Sequence, residues 1–169
     1  MIGRRTFLAL ALAVALPALA EDNIKIGLVT ALSGQSARAG EAITRGLQVA
    51  IDELNAAGGV LGRKFELVRR DDEATPAKGV LAARELVFKE KAAVLFGGLD
   101  TPVSIAIVPI MNGAKVPFMG PWAAGTPITR NGTSPNFVFR VSAVDRSSTR
   151  RCCNTRRRPL RPGSRGSSW

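Results

Sequence analysis

The sequence predicts an α/β fold, a mainly parallel sheet with helices on both faces. Two observations carry this. Short apolar runs rich in β-branched residues alternate with longer amphipathic stretches through the middle of the 169-residue chain. The early runs also recur at intervals of roughly 25–40 residues, enough for a strand, a crossover helix and a return to the same sheet. Right-handed crossovers then put helices on either face of parallel strands.

Each element has its own local reason. Residues 23–30, NIKIGLVT, form a short buried run and read as the first strand. A loop over residues 31–40 leads into a helix with Ile43, Leu47, Ala50, Ile51 and Leu54 on one face. Gly58 and Gly59 stop it, because glycine accepts the left-handed conformation at a helix end. Residues 63–70, RKFELVRR, read as the second strand. Thr75 and Pro76 open a second helix as N-cap and first helical residue, and it runs to about Glu90. AAVLFGG is the third strand. TPVSIAIVPIMNGA is the third helix, perturbed at Pro109 by the missing N–H. VPFMG and NFVFRVS are the fourth and fifth strands.

Charge is uneven along the chain. The net formal charge is +11, from 24 basic and 13 acidic residues. Residues 1–20 carry Arg4 and Arg5, and residues 146–169 carry eight arginines and no acid. The middle keeps 24 − 10 = 14 basic residues against 13 acidic ones, a net of +1. Nucleic-acid binding would therefore rest on the tail alone. There is no histidine and no tyrosine, and the two cysteines, Cys152 and Cys153, lie in the tail. Residues 21–145 thus hold no imidazole, no thiolate and no disulfide, which argues against nucleophilic or metal-centred catalysis.

The opening MIGRRTFLALALAVALPALA has a basic start, an apolar run and a small-residue end at Ala18, Leu19 and Ala20. It reads as a signal peptide over residues 1–20, with export to the periplasm. Its apolar run of about 14 residues is short for a bilayer span. The Sec route is favoured over the twin-arginine route that Arg4 and Arg5 suggest.

In a parallel α/β sheet, ligands sit beyond the carboxyl ends of the strands. The loops at 31–40, 97–101 and 120–126 are therefore the ones to inspect. None carries a dinucleotide or P-loop glycine pattern. Asp71, Asp72 and Glu73 read as solvated strand-end acids rather than a cation site, and Asn131-Gly132 as a turn rather than a glycosylation acceptor. What the loops offer is hydroxyls and backbone amides. Thr101 and Ser104 stand at the start of the third helix, where free N–H groups and the helix dipole suit a carboxylate. On chemistry alone Thr101 is first a helix cap, a role compatible with ligand contact.

Two stretches carry a resemblance. IKIGLVTALSGQSARAGEAITRGLQVAIDELNAAGGVLGRKFELVRRDDEATPAKGV and AAVLFGGLDTPVSIAIVPIMNGAKVPFMGPWAAGTPIT together resemble the first part of the leucine/isoleucine/valine-type periplasmic solute-binding proteins of ABC transporters. The resemblance covers about residues 22–145. It implies the first lobe of a type I periplasmic binding protein, which closes on its ligand with a second lobe. It implies a ligand carboxylate at Thr101, a ligand backbone near Trp122, Ala123, Ala124 and Thr126, and a ligand side chain near Ser33 and Ala39. The partners implied are a small amino acid or related molecule and a membrane permease. No reaction, cofactor, metal or specific nucleic acid belongs to this reading. The family also includes receptors for amides, urea and aromatic acids. Asp100 departs from the expected chemistry, because a like charge beside a carboxylate disfavours binding unless it points away.

The resemblance stops at Asp145, and RSSTRRCCNTRRRPLRPGSRGSSW follows. Read one frame over, the codons of Cys152 and Cys153 must give leucine, and neighbouring codons allow an amphipathic helix. Residues 146–169 are therefore expected to be an out-of-frame tail replacing the second lobe. The rival expectation is a disordered basic arm that binds polyanions, with the chain an exported polyanion-binding protein.

Overall fold

The structure is a computed structural model, and it describes residues 22–143. The expected signal peptide and arginine-rich tail lie outside those residues. Five parallel strands form one sheet in the order β2-β1-β3-β4-β5. They are β1 (Ile24–Thr30), β2 (Phe65–Asp71), β3 (Val94–Gly97), β4 (Phe118–Gly120) and β5 (Val138–Arg140). The helices are α1 (Ala37–Ala56), α2 (Pro76–Arg84), α3 (Thr101–Ala114) and α4 (Thr126–Thr129). A π turn over Glu85–Lys89 extends α2, so the second helical stretch ends close to the expected Glu90.

Strand order and crossover handedness divide the helices. From β1 the chain moves outward through α1 to β2. It then returns across β1 through α2 to β3, and α3 continues in the same direction. Right-handed connections put α1 on one face and α2 with α3 on the other. Register sorts the strand side chains accordingly. Gly27 pairs with Leu95 and Leu95 with Phe118, and this row faces α2 and α3. Leu28 pairs with Phe96 and Phe96 with Met119, and this row faces the α1 side.

The core is built on the α2/α3 face, where Val29, Leu86, Leu95, Ile107, Met111 and Phe118 cluster, all but fully buried. Gly27 and Gly79 let the helices come close. A Cβ on Gly27 would stand 2.7 Å from Leu95 Cδ1, and one on Gly79 2.5 Å from Val103 Cγ1. The α1 face is only partly covered. Of the five residues expected on the apolar face of α1, Ile51 is buried and Ile43 and Leu47 are half-buried, whereas Ala50 and Leu54 are exposed. Val94, Phe96 and Met119 are likewise half-buried on this side, and Phe139, which pairs with Met119, is exposed. A single helix over β1 and β2 cannot also cover β3 to β5.

Two helix-end expectations change. The loop after β1 ends at Ser36, so Ala39 lies in the first turn of α1 rather than in the loop. Asp100, not Thr101, is the N-cap residue of α3, and Thr101 is its first helical residue. α3 continues through Pro109 to Ala114. The carbonyl left without its intrahelical donor is that of Ile105, whose side chain is exposed, as is Pro109, so this turn faces solvent.

Candidate functional site

The turns that follow β3 and β4 are locked together at the carboxyl edge of the sheet. The Ala123 amide donates to the Gly98 carbonyl at 2.6 Å. Gly98 has φ +87, and a Cβ there would meet Ser104 Oγ at 2.9 Å and Ala123 Cβ at 3.7 Å. Glycine therefore satisfies both the conformation and the space. Thr101 packs its methyl group against Gly125, where any Cβ would collide with it. Gly125 has an ordinary φ of −59, so its requirement is space alone.

Thr101, Ala123, Gly125 and the flanking Ala124 and Thr126 thus form one cluster. Among the described residues, the amides of Thr101 and Val103 have no hydrogen-bond partner, and Pro102 between them has no N–H. The Asp100 side chain does not cap them. The 14-residue α3 therefore presents two unpaired donors and the positive end of its dipole at this edge of the sheet. The amides of Ala124 and Thr126 are unpaired among the described residues as well. Trp122, next to Ala123 in the chain, is 53% exposed. An anionic group with an apolar or aromatic body fits this combination of donors and surface.

The other expected residues fall differently. Ser104 is fully buried, and its hydroxyl donates to the Asp100 carbonyl at 2.8 Å. It braces the first turn of α3, and its hydroxyl hydrogen is committed to that contact. Ala123 is buried with its amide committed to Gly98, so its part is packing. Ser33 is exposed on the loop after β1, where its hydroxyl interacts with the Asp71 carboxylate. Ala39 is half-buried in α1.

The acidic run at the end of β2 is not simply solvated. Asp72 is buried, with its Oδ1 accepting the Ala74 amide at 2.8 Å. Burial pushes its carboxyl pKa up against that hydrogen bond, and the charges of Asp100 and Asp71 add to the rise. Asp100 is thus close enough to Asp72 to act on it, and its own Oδ2 is buried without a partner. At Asp71, burial alone would raise the pKa. The amides of Leu32 and Glu73, the Ser33 hydroxyl and Lys78 outweigh it and hold the carboxyl below its ordinary value.

Two residues went unnoticed in the sequence. Arg140, at the end of β5, donates through Nη1 to the Gly125 carbonyl at 2.9 Å. Ser142 donates through Oγ to the Ala123 carbonyl at 2.7 Å. Their partners lie 15 and 19 residues earlier in the chain, and no local pattern announces such contacts.

Comparison with known proteins agrees with this architecture. A family model described as periplasmic binding protein matches residues 23–154, running past Asp145 where the resemblance was expected to stop. The Leu/Ile/Val-binding protein BraC3 of Rhizobium johnstonii is 33% identical over 114 residues, covering 68% of this chain and 31% of that protein. The isoleucine complex of the branched-chain amino acid transporter substrate-binding protein LivJ from Streptococcus pneumoniae superposes with a TM-score of 0.67 at 31% identity. It covers 73% of this chain and 34% of that one. A solute-binding protein of an ABC transporter from R. palustris, solved with benzoate, gives a TM-score of 0.64 at 38% identity, covering 72% of this chain and 33% of that one. The chain belongs to the periplasmic binding protein family, and its fold is that of the type I members. It spans about a third of the length of the relatives it matches.

Proposed function

We propose that this chain is the first lobe of an exported solute-binding component of an ABC importer, acting in the periplasm and catalysing no reaction. The observation that carries this reading is the pair of unpaired amides at the start of α3, packed against the turn after β4. A carboxylate placed there accepts from Thr101 and Val103 and lies on the axis of the helix dipole. Such charge–dipole contacts contribute about 0.3–1 kcal/mol when exposed and up to about 2 kcal/mol when partly buried. The partners are a small carboxylate ligand and a membrane permease. In the whole protein, closure follows from contacts that the ligand makes better in the closed than in the open state.

Within this class the ligand is either a branched-chain amino acid or an aromatic acid. Relatives of both kinds support the class, one solved with isoleucine and one with benzoate. The exposed Trp122 ring favours a flat apolar body over a branched one. Calorimetry with matched pairs tests the reading: benzoate against benzamide, and isoleucine against isoleucinamide. The acid of at least one pair binds, and its amide binds about five-fold more weakly or not at all, the equivalent of about 1 kcal/mol. Preferential binding of the amides sinks the carboxylate reading.

A further inference from the structure

We infer that Arg140 and Ser142 are positioning residues for the ligand loop. They tie two of its carbonyls to the end of β5 and so turn the Ala124 and Thr126 amides toward α3. The inference rests on the proposed capture of a carboxylate at this edge of the sheet.

A trans peptide is planar, and its C=O and N–H point in opposite directions. The Ala123 carbonyl belongs to the same peptide unit as the Ala124 amide. It accepts the Ser142 hydroxyl at 2.7 Å. The Gly125 carbonyl belongs with the Thr126 amide. It accepts Arg140 Nη1 at 2.9 Å. Both carbonyls therefore face β5, and both amides face away from it. In the strand order β3 lies across β4 from β5, and from the β3 side Thr101 packs against Gly125 and Gly98 accepts the Ala123 amide.

The remaining groups are consistent with this role. Neither amide has a partner among the described residues, although Ala124 and Thr126 are half-buried. Half-buried donors left unpaired are costly unless water or a ligand meets them. The carbonyls, by contrast, are well served, since Gly125 also accepts the Ile128 amide at 3.2 Å. Arg140 makes no ion pair among the described residues, so its guanidinium is used on a neutral carbonyl. Arg140 lies in register with Gly120 at the end of β4, which brings it beside the turn that β4 leads into. The four amides of Thr101, Val103, Ala124 and Thr126, unpaired among the described residues, thus sit on two turns that touch. One pair is fixed by the helix, the other by β5.

Amide NMR spectra of the 169-residue chain test this in two arms. In the ligand-free arm, Ser142→Ala is expected to shift the Ala124 amide resonance and speed its hydrogen exchange, and Arg140→Met to do the same at Thr126. Ser142→Thr, which keeps the hydroxyl, is expected to leave Ala124 as in the wild type. Arg140→Lys keeps one donor and should fall between. In the titration arm, with benzoate and isoleucine as probes, the wild type and Ser142→Thr should respond at all four amides. Ser142→Ala should respond at Thr101, Val103 and Thr126 but not at Ala124, with affinity about five-fold lower, as expected for one lost hydrogen bond. A residue that served stability alone would lower the melting temperature without separating Ala124 from the other three amides. Unchanged Ala124 and Thr126 signals in Ser142→Ala and Arg140→Met overturn the inference, whether or not a probe binds. Failure of both probes to bind the wild type counts against the capture reading, while the ligand-free arm still decides the positioning role.

Discussion

At the scale of single residues, burial separates groups that look alike in the sequence. Thr101 and Ser104 are two hydroxyls at the start of one helix, yet one is half-buried and the other fully buried. Spacing announced both, but only packing tells them apart. Asp71 and Asp72 diverge in the same way, because neighbouring strand-end residues face opposite directions. Asp72 has its pKa raised in the fold above the ordinary 3.8, chiefly by burial. A raised carboxyl pKa means that the folded state holds the proton more tightly. The stability it provides is then full below the ordinary value and is lost as pH rises through the folded one. Asp72→Asn keeps the acceptor for the Ala74 amide and removes that loss. Its melting temperature should exceed the wild type at pH 7, with the difference vanishing below about pH 3.8. Gly125→Ala should act through space rather than conformation. Overpacking against Thr101 should cost about 1–3 kcal/mol in denaturant unfolding and should weaken ligand capture.

At the scale of elements, the sequence is most legible where period and breakers coincide. β1 is expected at 23–30 and found at Ile24–Thr30, and α2 begins at Pro76 after its Thr75 cap. The short elements were harder to read. α4 is four residues long and has no hydrophobic period to display. β5 shrinks to three residues, because the strand ends where Arg140 turns to the loop. Long-range polar ties are equally silent in sequence. Asn55, near the end of α1, accepts the Phe65 amide at 2.7 Å and donates to the Phe65 carbonyl at 2.9 Å. It fixes where β2 starts although nothing around it suggests a structural asparagine. Asn55→Ala should lower stability by about 1–3 kcal/mol in chemical denaturation, since it leaves two half-buried backbone groups unpaired.

At the scale of the whole molecule, the sheet is covered unequally. The α2/α3 face is a packed core, whereas over β3 to β5 the opposite face leaves Phe139 51% exposed, and Val141, just past β5, is 78% exposed. The prediction of helices on both faces was right in kind, but amphipathic periodicity shows only that α1 has an apolar side. It does not show how much of that side the described residues cover. Exposed apolar surface of this sort favours association. Phe139→Thr with Val141→Thr should reduce self-association in sedimentation experiments while changing unfolding free energy by no more than about 0.5 kcal/mol each. The site is legible in outline for a related reason. Strand order points to the carboxyl edge, and the Thr-Pro start of α3 points to free amides. The pegging of the second loop by Arg140 and Ser142 depends on a fold that brings residues 15 and 19 positions apart together.

The claim on which all this turns is that the cleft between the starts of α3 and α4 receives a carboxylate. A crystal structure of the chain soaked with benzoate tests it most directly. The account predicts benzoate oxygens about 3 Å from the Thr101 and Val103 amides, with the Ala124 and Thr126 amides completing the set and the ring against Trp122. A benzoate bound elsewhere, or lying in this cleft with its carboxylate turned out to solvent, contradicts it.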